Sequence, residues 1–140
     1  MLYTIKSGNF SATVNSNGAC LTSVKLNDKE YLWQGDAAYW SGQAPLMFPI
    51  CGCLRDNKGT LANGAKVEMG RHGFARHREF SVTEVTDSCV TMELVSDEAT
   101  KEAFPLDFKL VMKFEAVDNK VVINHIVTNT GDETFPYFVG

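Results

Sequence analysis

Along much of the chain apolar and polar side chains alternate one by one, the signature of strands with one packed and one wet face. The alternation is clearest at Phe108, Leu110, Met112 and Phe114, with Lys109, Lys113 and Glu115 on the positions between. Turn-forming clusters cut the pattern into antiparallel pairs. Residues 10–15 read as a strand, Asn15-Ser16-Asn17-Gly18 as a turn and 19–26 as its partner; after Asn27-Asp28-Lys29 the chain returns over 30–33. Further on, 79–85 and 89–95 flank Thr86-Asp87-Ser88, 106–116 and 120–130 flank Val117-Asp118-Asn119, and 134–139 begins another strand. No segment holds a helical period, although Asp97, Glu98, Ala99 and Lys101 support one turn of helix within 96–104. The pattern predicts an all-β protein. With no repeat, linker or low-complexity stretch, it predicts one domain over residues 1–140.

Residues 34–78 break the alternation. This stretch is irregular and aromatic and holds most of the glycines. A loop of that length in a compact domain is either functional or disordered, and Tyr39, Trp40, Leu46, Met47, Phe48 and Ile50 argue against disorder. Composition narrows the class further. A chain of 140 residues buries roughly two-thirds of its unfolded surface, and 44% apolar with 21% charged residues is ordinary for a soluble globular protein. The net charge of −4 argues against nucleic acid or an anionic membrane as partner. Apolar runs such as 45–51 fall far short of the roughly 20 residues of a membrane helix. Residues 1–10 lack the apolar core of a secretory signal, so the expected location is cytoplasmic. Cys51-Gly52-Cys53 is a C-x-C pair with no second Cys or His pair at zinc spacing, and Cys20 and Cys89 read as small buried hydrophobes within strands. Reduced thiols, no metal and no cofactor are expected.

Candidate chemistry concentrates in Arg71-His72-Gly73-Phe74-Ala75-Arg76. Histidine exchanges a proton near neutral pH. The planar guanidinium groups of Arg71 and Arg76 suit hydroxyls, carboxylates or phosphates. Gly73 lets the backbone turn tightly or approach a ligand closely. An exposed basic turn between two strands is the plainer reading of the same six residues. Upstream stand Tyr31-Leu32-Trp33-Gln34-Gly35-Asp36, then Tyr39-Trp40, then Ala44-Pro45-Leu46-Met47-Phe48-Pro49-Ile50-Cys51-Gly52. Together with His72-Gly73-Phe74-Ala75-Arg76, in this order and spacing, they resemble the aldose 1-epimerase (galactose mutarotase-like) family, nearest its bacterial LacX-like branch. Asn17-Gly18-Ala19 and Thr128-Asn129-Thr130-Gly131-Asp132 extend the resemblance over nearly the whole chain.

The resemblance implies a large antiparallel β-sandwich and a hexose or hexose phosphate as small-molecule partner. It implies interconversion of α and β anomers by ring opening, in which a base takes the anomeric hydroxyl proton while an acid protonates the ring oxygen. His72 matches the first family histidine, which contacts the sugar near its ring oxygen and assists the acid rather than serving as the main one, that part falling to the family's second histidine. Arg76 is a donor to hydroxyls, or to a phosphate on a hexose 6-phosphate. Arg55 stands near the place of a substrate-binding arginine, but two positions late: the branch pattern reads Gly-Arg-Leu where this chain has Gly52-Cys53-Leu54. Trp33 and Trp40 offer aromatic platforms for the apolar face of a sugar, although a large aromatic in a β-protein is more often core. His77 reads as part of a solvated basic turn and His125 as a hydrogen-bonded packing residue of its strand. The family's second histidine and its general-base glutamate match nothing here, so the resemblance covers an amino-terminal half. A partial sandwich is expected to pair its open edges with a second copy or with a carboxy-terminal half. A non-catalytic sugar-binding domain and a hexose-phosphate epimerase relative stand as the alternatives.

Overall fold

In the computed structural model, which describes residues 1–140, the alternating segments pair into two four-stranded antiparallel sheets and one small hairpin. The first sheet runs β1 (Leu2–Ser7), β2 (Phe10–Asn15), β3 (Cys20–Leu26) and β4 (Lys29–Glu30) in chain order. The hairpin is β5 (Lys58–Thr60) with β6 (Lys66–Glu68). The second sheet orders β10 (Lys120–Asn129), β9 (Phe108–Val117), β8 (Cys89–Val95) and β7 (Ser81–Val85). β1 and β2 pack across β8 and β9, which makes the antiparallel sandwich that the motifs implied.

The core is built by the alternation itself. On β9, Phe108, Leu110, Met112, Phe114 and Ala116 are buried while the residues between them are half-exposed. Ile5, Ala12, Val14, Val90 and Met92 meet them from the other strands, and each large side chain so buried contributes about 1.5–3 kcal/mol. The layers are also joined through the backbone. Lys6 N–H donates to the Asp87 carbonyl at 2.7 Å, Phe80 N–H to Ser16 at 2.9 Å, and Gly18 N–H to Arg78 at 2.7 Å. The short helix α1 (Glu98–Lys101) is started by a capping box, in which Asp97 accepts from Thr100 N–H and the Thr100 hydroxyl accepts from Asp97 N–H. No helix is long and apolar enough to cross a membrane.

Several expectations change. Leu2–Ser7 forms an edge strand, although its exposed Leu2 and single fully buried Ile5 leave a weak alternation. Residues 30–33 do not continue as a strand; β4 stops at Glu30, and past one backbone bond, Tyr31 N–H to the Val24 carbonyl at 2.8 Å, the chain is held by side chains. Residues 134–139 are not a regular strand, yet Phe138 N–H donates to Pro49, Gly140 N–H to Met47, and Met47 N–H to Gly140. Residues 34–78 hold the β5–β6 hairpin and two single 3-10 turns, Arg55–Asn57 and Ala75–His77. Cys20 and Cys89 are half-buried rather than buried, and all four thiols are free.

Glu30 replaces the ladder where β4 ends. Its carboxylate accepts from the Ser23 hydroxyl and from the N–H groups of Val24 (2.8 Å), Leu32 (3.0 Å) and Tyr31 (3.1 Å). Burial opposes ionisation of this carboxyl, but the four donors outweigh it and hold Glu30 below the usual carboxylate range. Its stabilising contribution is therefore present above the unfolded-state value of about 4.3 and is lost as pH falls through the lower folded-state value. We expect Glu30→Gln to lower the urea midpoint near neutral pH and to lose stability less steeply on acidification. Asp97 and Asp107, also held low, remain in both proteins, so the difference between the two pH curves isolates Glu30.

Candidate functional site

The irregular segment is anchored at Phe48. Its N–H donates to the His72 carbonyl at 3.3 Å, and its own carbonyl accepts from Phe74 N–H at 3.1 Å and Ala75 N–H at 3.2 Å. Its ring is fully buried, with centroids 5.1 Å from Phe108 and 6.4 Å from Phe74, and the Phe48–Pro49 peptide is cis. Gly73 lies parallel to Phe48 in a single bridge with φ +69°. A Cβ there would stand 2.3 Å from the Phe48 oxygen and 2.6 Å from its carbon, so this position admits only glycine on both counts.

His72, immediately before it, takes φ +67°, a left-handed conformation that β-carbon-bearing residues enter only when their surroundings impose it. The surroundings here are Gly52. His72 N–H donates to the Gly52 carbonyl at 2.7 Å, and Gly52 N–H donates back to His72 Nδ1 at 2.9 Å. His72 Nε2 lies 3.2 Å from Arg71 Nε, and the ring is half-buried. Arg76 ties this corner to the next: Nη2 donates to the Arg71 carbonyl at 2.9 Å and Nε to His77 Nε2 at 3.0 Å. Arg76 and His77 then line an open cleft of about 440 Å³ with Trp40, Gln43 and Cys20. Trp40 is half-exposed; its carbonyl accepts from the Trp33 indole N–H at 2.8 Å, and Tyr39 meets Trp33 edge-on at 6.3 Å.

The structure therefore brings Trp40 and Arg76 into one cleft and connects Arg76 to His72 through Arg71. Arg55 does not join them. It sits on an exposed 3-10 turn, its side chain makes no hydrogen bond or ion pair, and it lines none of this cleft. Arg78 stacks over the Phe74 ring at 5.9 Å, so the arginines do not converge as a phosphate clamp. His125 departs from its expected packing role: its exposed ring makes no hydrogen bond and lines a separate apolar cleft of about 220 Å³ with Ile123, Met112 and Leu46, where partial burial pushes its pKa down. Sequence reasoning missed His77 as a cleft residue, although its place next to Arg76 was the available signal. No carboxylate hydrogen-bonds or ion-pairs with Arg71, His72 or Arg76, and no three His, Cys, Asp or Glu side chains are grouped to hold a metal.

Comparison with known proteins identifies the family and the fold. The aldose 1-epimerase family model matches residues 1–140. The plasmid-encoded protein LacX of Lactococcus lactis subsp. lactis is 36% identical over 129 residues, covering 88% of this chain and 43% of that protein. Among solved structures, a galactose mutarotase related enzyme from Lactobacillus acidophilus superposes with a TM-score of 0.94 at 33% identity, over 99% of this chain and 47% of that one. A galactose mutarotase-like protein from Lactobacillus casei gives 0.94 at 29% identity, over 99% and 48%. The chain thus spans about half the length of these relatives.

Because Gly73 meets backbone rather than a yielding side chain, Gly73→Ala is expected to cost about 2 kcal/mol or more. It should also disorder His72, whose carbonyl is held by Phe48. Urea unfolding gives the first quantity, and loss of a dispersed His72 imidazole resonance the second; a wild-type midpoint would refute the close approach.

Proposed function

The chain belongs to the aldose 1-epimerase family, and from that premise we propose that it supplies the sugar-binding, histidine-bearing part of a site that interconverts hexose anomers. The observation that carries this reading is His72, a residue of the family motif, held in a left-handed backbone conformation with its ring pinned by Gly52. Energetically disfavoured backbone of this kind persists where the surrounding structure fixes a working side chain.

The roles follow from the groups present. Trp40 offers a flat apolar surface for the C–H face of a pyranose, and Arg76 donates to its hydroxyls from the neighbouring wall of the cleft. His72 meets the oxygen at which the ring opens and delivers or shares a proton there. Removing the anomeric hydroxyl proton needs a base, and these residues do not include one. Glu30 is committed to four donors, Glu84 accepts from the Thr91 hydroxyl, and Glu79 lies 3.9 Å from the amino terminus. A binding role without turnover is the second reading, and the absence of a carboxylate beside His72 favours it for the 140 residues by themselves. The hexose-phosphate reading is the weaker because Arg78 is turned onto Phe74.

Following the optical rotation of freshly dissolved α-D-glucose and α-D-galactose, together with the fluorescence of Trp33 and Trp40, tests the assignment. We expect saturable binding that weakens about tenfold in His72→Ala, the loss of one hydrogen bond to a polar ligand. Acceleration of mutarotation that disappears in His72→Ala would show that this chain completes the acid–base set. Neither binding nor acceleration would refute the sugar site.

A further inference from the structure

We propose that Gly52 is a positioning residue that fixes the proton on His72 Nε2, and that Arg71 is a second donor beside it, so that the two N–H groups converge on one acceptor oxygen of the ligand. The inference rests on the sugar-binding reading above.

A neutral imidazole carries one N–H and one lone-pair nitrogen. In His72 the lone pair is claimed by Gly52, whose backbone N–H lies 2.9 Å from Nδ1 while its carbonyl takes the His72 N–H at 2.7 Å. The two bonds close a small ring between the residues. Neither Gly52 group can rotate away, because both belong to backbone held at φ +94°. With Nδ1 accepting, the hydrogen belongs on Nε2. That atom lies 3.2 Å from Arg71 Nε, which carries a hydrogen of its own. One neutral ring cannot accept at both nitrogens. The contact that yields is the one made by the exposed, flexible Arg71 side chain rather than the one made by backbone.

Two N–H groups so close, with no acceptor between them, define a place for an oxygen that brings only lone pairs. The ring oxygen of a pyranose is such an atom; a hydroxyl there has to turn its own hydrogen elsewhere. Arg71 is steadied for this by Arg76, which donates to the Arg71 carbonyl at 2.9 Å and itself reaches the cleft lined by Trp40. The corner and the cleft therefore offer one ligand two kinds of contact: paired donors on an acceptor oxygen, and an aromatic surface with a further guanidinium.

The test uses the 140-residue chain labelled with 15N, with D-galactose and D-glucose as probes. The expected result is a scalar coupling through the hydrogen bond between the Gly52 amide nitrogen and His72 Nδ1, with the one-bond proton on Nε2. No coupling, or a proton on Nδ1, overturns the clamp. On titration with either sugar, the His72 Nε2–H and Arg71 Nε–H signals should shift along one saturation curve while the coupling persists. A shift at His72 alone overturns Arg71 as a donor. His72→Asn places an acceptor where Nδ1 stands and removes the outward donor; it should keep the Gly52 amide protected from exchange and lose sugar binding about tenfold. His72→Gln should do the reverse, exposing the Gly52 amide and binding more tightly than His72→Asn. A coupling with no response to either sugar leaves the Gly52 clamp standing and overturns both Arg71 as a sugar donor and the sugar-binding reading.

Discussion

The irregular third of this protein hangs on one residue, Phe48. Its ring is fixed among Phe108, Phe74 and Tyr137, while its peptide groups reach His72, Phe74 and Ala75. A buried backbone group must find a partner, and here each partner lies in the segment that carries the candidate chemistry. Core packing on β9 thus sets the position of His72 through two links, a ring contact and a peptide hydrogen bond. Gly73 makes the second link possible, since any side chain at that place would hold the two backbones apart.

Around this anchor, side chains replace the ladder that ends at Glu30. Glu30 gathers three N–H groups and a hydroxyl, and Gln34 and Gln43 both donate to the Thr22 carbonyl, at 3.2 and 2.9 Å. Phe138 and Gly140 bond to Pro49 and Met47. Outside the β5–β6 hairpin and the two 3-10 turns the chain is held by such contacts, and Trp33, Tyr39 and Trp40 stand exposed at the surface. Side chains kept out of the core by a framework that holds their backbone are the ones free to meet a ligand.

How much of this was legible in the sequence depends on the kind of interaction that fixes each part. β8 and β9 follow their alternation to within a residue or two, because a strand with one buried face writes that face into its composition, whereas β10 matches its expected span with no buried face. The helical turn at Glu98–Lys101 announced itself through Asp97. β1 was overlooked because an edge strand with an exposed Leu2 alternates poorly, and the span of β4 was overestimated because Glu30 ends it with a side chain. His72 and Arg76 were singled out by their motif, and the structure links them through Arg71. The Arg55 assignment did not find a place with them, since spacing preserves a face along a strand but not in the 3-10 turn where this residue sits. His77 and the Gly52 clamp could not be read from periodicity at all: both depend on how two loops meet, which no local pattern encodes.

The character of the corner around His72 follows from what lies next to it. In the proposed tautomer Arg71, Arg76 and the Nε2 side of His72 are all donors, and no carboxylate pairs with them, within a chain whose net charge is −4. A donor-rich corner in an acidic protein selects for ligand oxygens by hydrogen bonding more than by long-range attraction, because the surrounding charge does not draw anions in. Saccharide oxygens meet that requirement, and the aromatic side of the cleft suits their C–H faces. Ring opening, however, moves two protons in opposite directions, one onto the ring oxygen and one off the anomeric hydroxyl. Donors on their own supply the first of these. Under the proposed reading, an arrangement that holds His72 by its Nδ1 lone pair suits the acid side of such an exchange, and the basic side would have to be met by a group outside this donor-rich corner.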